Sequence, residues 1–82
     1  MIASAQISVY PLGQDRLSPA IEAVRGALSG RGLAPQVGPM STVVVGEDAL
    51  IFAALSEAFA NAAEAGEVVM TITVSNACPI PD

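Results

Sequence analysis

The side chains that ordinarily move protons or attack electrophiles are scarce in this sequence. It has no histidine, and its basic residues are the arginines Arg16, Arg25 and Arg31. Without His the commonest general base and metal ligand is missing, and without Lys so are Schiff-base and phosphate-loop chemistry. The lone cysteine, Cys78, precedes Pro79 and has no imidazole to activate it. It can form neither an intrachain disulfide nor a Cys-rich metal site, and a structural role is expected. Of the eight carboxylates, Glu22, Glu57 and Glu64 fall on outward faces of predicted helices. Glu47 and Asp48 sit where a helix N-terminus favours negative charge. No catalytic residue and no metal site is expected. Hydroxyls, amides, thioethers and a few rings remain, and these suit binding better than turnover.

The chemistry-poor side chains must be carried by a small body. At 82 residues the chain falls below the usual domain size of roughly 100–150 residues, so a single domain over 1–82 is expected. Hydrophobic residues make up 52% and charged ones 13%, too apolar for disorder and lean in the charges that solvate a lone monomer. Association into a homodimer or homotetramer is therefore expected. The net charge of −5 lacks the electrostatic footprint of a phosphate-backbone binder, which argues against nucleic acid. No apolar run approaches the ~20 residues that span a bilayer. Met1-Ile2 leads straight into an alternating pattern without a basic leader, so a cytoplasmic protein with no membrane insertion is expected.

Ala3 to Tyr10 alternates as a strand, with Ala5, Ile7 and Val9 opposing Gln6, Ser8 and Tyr10. Ser18-Pro19 reads as a helix start, Ser18 capping, and the stripe Ile21, Val24, Leu28 carries the helix to Gly30, with Arg31 at its negative end and Gly32 as a stop. Ala34 to Val37 is a short strand that Pro35 confines to a sheet edge. Met40 to Val45 is its hairpin partner, ended by Gly46. A second helix, capped by Glu47 and Asp48, is expected to bury Ile51, Leu55, Phe59 and Ala62 and to close at Gly66. Val68 to Ser75 alternates again, and Asn76 to Asp82 is an irregular tail. The sum is an α+β, ferredoxin-like βαββαβ sandwich: right-handed crossovers bring the first and third strands to the centre of a four-stranded antiparallel sheet, with both helices on one face. The other face offers Gln6, Ser8, Tyr10, Thr71, Thr73 and Ser75 without formal charge. Such a face is expected to pack against a second copy's sheet or to line a pocket within that contact. Copper carriers of this topology need a C-x-x-C pair, and RNA-recognition domains need several exposed aromatics; only Tyr10 qualifies.

Three stretches together resemble the thiamine-binding YkoF-like family of small ferredoxin-like proteins. They are Ser8-Val9-Tyr10-Pro11-Leu12; Met40-Ser41-Thr42-Val43-Val44-Val45-Gly46 with Phe52 six residues on; and Val69-Met70 leading through Ser75 to Cys78-Pro79. The resemblance implies binding of thiamine or its hydroxymethylpyrimidine moiety in vitamin B1 salvage or transport, without turnover or any cofactor beyond that ligand. An aminopyrimidine needs small polar groups in its plane and apolar surface over its face. Ser8, Ser41, Thr42 and Asn76 are candidates for the first, and Tyr10, Met40, Met70 and Phe52 for the second. The thiazolium charge would call on Tyr10, Glu47 or Asp48. Some relatives carry two such domains in tandem, which a homodimer of this chain would have to replace. Competing expectations are a regulatory domain sensing another small metabolite, a structural dimerisation protein and, last, an enzyme of the dimeric α+β barrel type.

Overall fold

A computed structural model describes residues 1–13 and 15–77. Its elements are β1 (Ile2–Pro11), α1 (Ser18–Gly30), β2 (Gln36–Val37), β3 (Thr42–Glu47), α2 (Asp48–Ala62) and β4 (Val68–Ser75), with a 3-10 turn at Ala63–Ala65 before β4. The sheet order is β2-β3-β1-β4, every adjacent pair antiparallel. This is the ferredoxin-like α+β arrangement expected, with β1 and β3 central. The strands linked by each helix, β1 to β2 and β3 to β4, run parallel but are separated by an antiparallel neighbour.

Register follows from alternation. Ala5 stands opposite Val44 and Val74, and Ile7 opposite Thr42 and Ile72, so these share the helix-facing side. Gln6, Ser8 and Tyr10 share the open side with Val43, Thr71, Thr73 and Val69. The core joins Ala3, Ala5, Ile7 and Val44 of the sheet to Val24, Ala27 and Leu28 of α1 and to Ile51, Ala54, Leu55 and Ala58 of α2. Its many alanines let the helices lie close to the strands, which maximises dispersion contact per residue. At Gly46 any Cβ would collide with the Leu33 side chain, so the segment after α1 packs down where β3 carries no side chain.

Several local expectations are corrected. Ser18 does not cap α1: it is already helical, and Leu17 occupies the cap position without a side-chain bond. The Leu17 carbonyl accepts from the N–H groups of Ala20 and Ile21, each at 3.1 Å. β2 is shorter than Ala34–Val37, because Pro35 has no N–H to donate. β3 starts two residues later than Met40 and runs through Gly46 to Glu47. Glu47 holds the cap position of α2 but makes no side-chain cap bond. Its carboxylate and that of Asp48 accept from the Met1 ammonium at 2.9 and 3.1 Å, and Asp48 also takes backbone N–H groups of the first turn. Phe59 is 49% exposed. The arc that α2 buries is Ile51, Ala54, Leu55, Ala58 and Ala62, and Phe59 lies about 100° past Ala58. Gln14 and the tail from Cys78 onward lie outside the described residues.

Candidate functional site

Alternation puts Ile7, Val9 and Thr42 under the first turn of α1, and the connection from β2 to β3 closes the third side. The result is a cleft of about 240 Å³. β1 and β3 contribute Ile7, Val9, Tyr10 and Thr42; the start of α1 contributes Leu17 and Ile21; the connection contributes Val37 to Ser41. None of these residues carries a formal charge. The volume lies just under the roughly 300–1,000 Å³ typical of drug-sized ligands, which suits one substituted ring.

The connection is held in place by named bonds. The Gly38 N–H donates to the Ser41 carbonyl at 2.8 Å, and a Cβ at Gly38 would stand 3.3 Å from that oxygen. The Ser8 hydroxyl donates to the Met40 carbonyl, and the Gln6 amide donates to the Ser41 hydroxyl, both at 3.1 Å. The Met40 side chain is left 78% exposed at the mouth.

Thr42 is the informative residue. At 4% exposure it is the one buried polar side chain among the described residues, and its hydroxyl has no hydrogen-bond partner among them. A buried hydroxyl without a partner costs about 1–3 kcal/mol, and native proteins seldom leave one unless water or a ligand completes it.

The far end of β1 is built differently. There the Met1 ammonium lies between the carboxylates of Glu47 and Asp48, and the Asp48 N–H donates to the Met1 carbonyl at 3.0 Å. Hydrogen bonds to Glu47 and then Asp48, followed by charge attraction, raise the affinity of that ammonium for its proton. The ammonium in turn, by hydrogen bond first and charge second, holds the Asp48 carboxyl below the usual carboxylate range. Asn76 is here too, its amide donating to the Met1 sulfur at 3.4 Å.

The structure thus brings Tyr10, Met40, Ser41 and Thr42 together around the cleft and sets Ser8 behind its turn. It does not bring the other candidates there. Phe52 projects from α2 and is 55% exposed. Met70 is packed against the core from β4, and Asn76 lies at the opposite end of β1, roughly 20 Å away at about 3.3 Å per strand residue. Glu47 and Asp48 share that far end. Sequence reading missed Ile7, Val9, Leu17, Ile21 and the stretch Val37 to Pro39 as lining residues; the Gly-Pro pair marked a turn, but only the fold shows that the turn faces the start of α1. Among the described residues no cluster of His, Cys, Asp or Glu could hold a metal ion, and no helix is long and apolar enough to cross a membrane.

Comparison with known proteins adds an independent line. A family model described as thiamine-binding protein matches residues 5–77. Among solved structures, a Streptococcus pneumoniae protein superposes with a TM-score of 0.80 at 28% identity, over 92% of this chain and 86% of its own. A Thermotoga maritima protein whose proposed role is thiamine biosynthesis or salvage gives 0.78 at 25%, over 90% and 82%. A hypothetical protein of Methanocaldococcus jannascii gives 0.85 at 21%, over 98% and 84%, a likeness of fold. No curated protein matches the sequence.

Proposed function

Because the chain belongs to the thiamine-binding protein family, we propose that it binds thiamine or its hydroxymethylpyrimidine moiety in the cleft between α1 and the β2–β3 connection, as a single cytoplasmic domain in vitamin B1 salvage or transport. The observation that carries this reading is the unpartnered, buried Thr42 hydroxyl facing an uncharged cleft sized for one ring. The ring's edge hydrogen-bonds to Thr42, and Leu17, Ile21 and Val9 cover its faces with apolar surface. Ser41 can add a second polar contact because its hydroxyl, while accepting from Gln6, keeps its own proton to donate. With no carboxylate in the lining, the neutral pyrimidine goes inward and the thiazolium is left at the mouth, where water solvates its charge.

The reading is of a carrier and not of a catalyst. The lining holds no His, Lys, Cys, Asp or Glu, the residue types that most often carry general acid–base catalysis. The open side of the sheet supports self-association: Ile2, Tyr10, Val43 and Val69 are exposed there between hydroxyl groups, and a second copy's sheet would cover them. Calorimetry with thiamine, with hydroxymethylpyrimidine and with a panel of amino acids tests the ligand. Heat is expected from both pyrimidines, and silence from both, with heat from another metabolite, would replace this reading with a sensor of that metabolite.

A further inference from the structure

β1 outruns one of its two neighbours. It pairs with β3 only from Ile2 to Ile7, whereas its pairing with β4 continues to Pro11. The cause lies in the β2–β3 connection. There the chain reverses over Pro39 and Met40, and the Gly38 N–H closes that reversal on the Ser41 carbonyl at 2.8 Å. β3 therefore begins at Thr42, opposite Ile7, and cannot reach further along β1. The same register continued would set Met40 opposite Val9, but the Met40 carbonyl accepts from the Ser8 hydroxyl instead.

Alternation fixes where the Val9 backbone points. Successive residues of a central antiparallel strand turn both N–H and C=O first to one neighbour and then to the other. The Leu12 N–H donates to the Glu67 carbonyl just before β4, at 2.8 Å, and the Met1 carbonyl accepts from the Asp48 N–H just after β3, at 3.0 Å. Even-numbered residues of β1 therefore address β4, and odd-numbered ones address β3. Val9 is odd and stands two residues past the last rung, about 7 Å along the strand. Its N–H and C=O point into the gap that β3 leaves, and neither has a hydrogen-bond partner among the described residues. Val9 is half-buried and lines the cleft, and a backbone donor and acceptor so placed call for a partner.

We propose that the N–H and C=O of Val9 recognise the ring in this cleft, the ligand taking the place of the missing rung of the sheet. The inference rests on the pyrimidine reading above and names the pattern such a ligand must carry: a flat heteroaromatic ring with an amino group next to an unprotonated ring nitrogen. The ring nitrogen accepts from the Val9 N–H while the amino group donates to the Val9 carbonyl, two bonds in the plane of the ring. Both backbone groups are already fixed by the pairing of β1 with β4, so little ordering is needed when the ring arrives. A ring of the same size without that pattern leaves one or both of them unpaired and is rejected. The Thr42 hydroxyl, at the last rung, stays available for a further polar atom of the ligand.

Amide hydrogen exchange of the full chain, read residue by residue, tests it. Without ligand the Val9 amide is expected to exchange about tenfold or more faster than those of Ser8 and Tyr10, which face β4, and saturating hydroxymethylpyrimidine is expected to slow it by a similar factor. Val9→Pro removes that one donor where no ladder bond depends on it. It is expected to keep the circular dichroism of the fold and to weaken calorimetric binding of hydroxymethylpyrimidine about ten- to a hundredfold. Val9→Ala keeps the N–H and should lose less. The same pyrimidine without its amino group should bind the unaltered protein about tenfold or more weakly. Should Val9→Pro fail to fold, the exchange data and the ring without its amino group decide. A Val9 amide already protected in the free protein, exchange unchanged by bound pyrimidine, or equal losses from Val9→Pro and Val9→Ala would overturn the proposal and leave the ligand reading standing. Silence from thiamine and hydroxymethylpyrimidine alike would overturn both.

Discussion

The two ends of β1 place polar groups against the same sheet under opposite terms. At the Met1 end every charge has a partner: the ammonium holds two carboxylates and the Asn76 amide finds a sulfur. At the Tyr10 end the cleft lining carries no charge, yet Thr42 is buried there with its hydroxyl unmet. A closed polar network is how a chain secures a terminus, and its groups are already committed. A buried hydroxyl lining a cleft without a protein partner is still able to bond to water or a ligand. The contrast is the ground on which the binding end is proposed, and it does not depend on the identity of the ligand.

The sharpest way to break this comparison is to fill the ready end. Thr42→Leu extends an apolar branch into the cleft and is expected to abolish calorimetric binding of thiamine, while circular dichroism shows the sheet and helices retained. Undiminished binding would place the ligand elsewhere. Thr42→Val separates the hydroxyl from the shape. Losing one hydrogen bond worth about 0.5–1.5 kcal/mol should weaken binding roughly two- to tenfold, and the midpoint of thermal unfolding should hold or rise, because an unsatisfied buried hydroxyl is removed. A fall in both would mean that Thr42 is bonded within the fold. Gly38→Ala tests the connection. A Cβ 3.3 Å from the Ser41 carbonyl must push the turn, so a smaller loss of affinity, with little change in melting, is expected by titration.

The smallest effects belong to the committed end. Asp48→Asn should leave ligand affinity unchanged and shift stability only modestly, since the pair is fully exposed and salt-screened. The signs are definite. The depressed Asp48 carboxyl stabilises the fold above its ordinary titration range, and that contribution is lost as pH falls through the lowered folded value. The raised Met1 ammonium stabilises below its ordinary range, and its contribution is lost as pH rises through the higher folded value. Thermal melts of both proteins across pH should therefore differ most between those limits and converge in acid.

Much of the frame was legible because period-two and helical spacing act locally. The alternation of Ala3 to Tyr10 and of Val68 to Ser75 assigned each strand's faces correctly, and the stripe of Ile21, Val24 and Leu28 found α1. Phe59 misled because a large apolar side chain at i+4 from Leu55 fits a helical stripe; the actual arc is displaced to the other side of Ile51, toward Ala54 and Ala58, and alanines weigh little in hydrophobic patterning. Phe52, Met70 and Asn76 were grouped with Thr42 by resemblance along the chain, and the fold dispersed them. Glu47 and Asp48 looked like caps because a competing ammonium forty-six and forty-seven positions away leaves no local signal.

By itself, the sequence determined the order of elements, the lack of histidine and lysine and the alternation of the strand faces, since all three depend on residue types and near-neighbour spacing. Tertiary structure alone decided that Thr42 faces the cleft, that the Gly38-Pro39 turn closes it, and that β4 is the long edge of the sheet and β2 the short one. Those facts arise where strands distant in the chain meet. Register fixes which side chain turns inward and which edge is left without a neighbour.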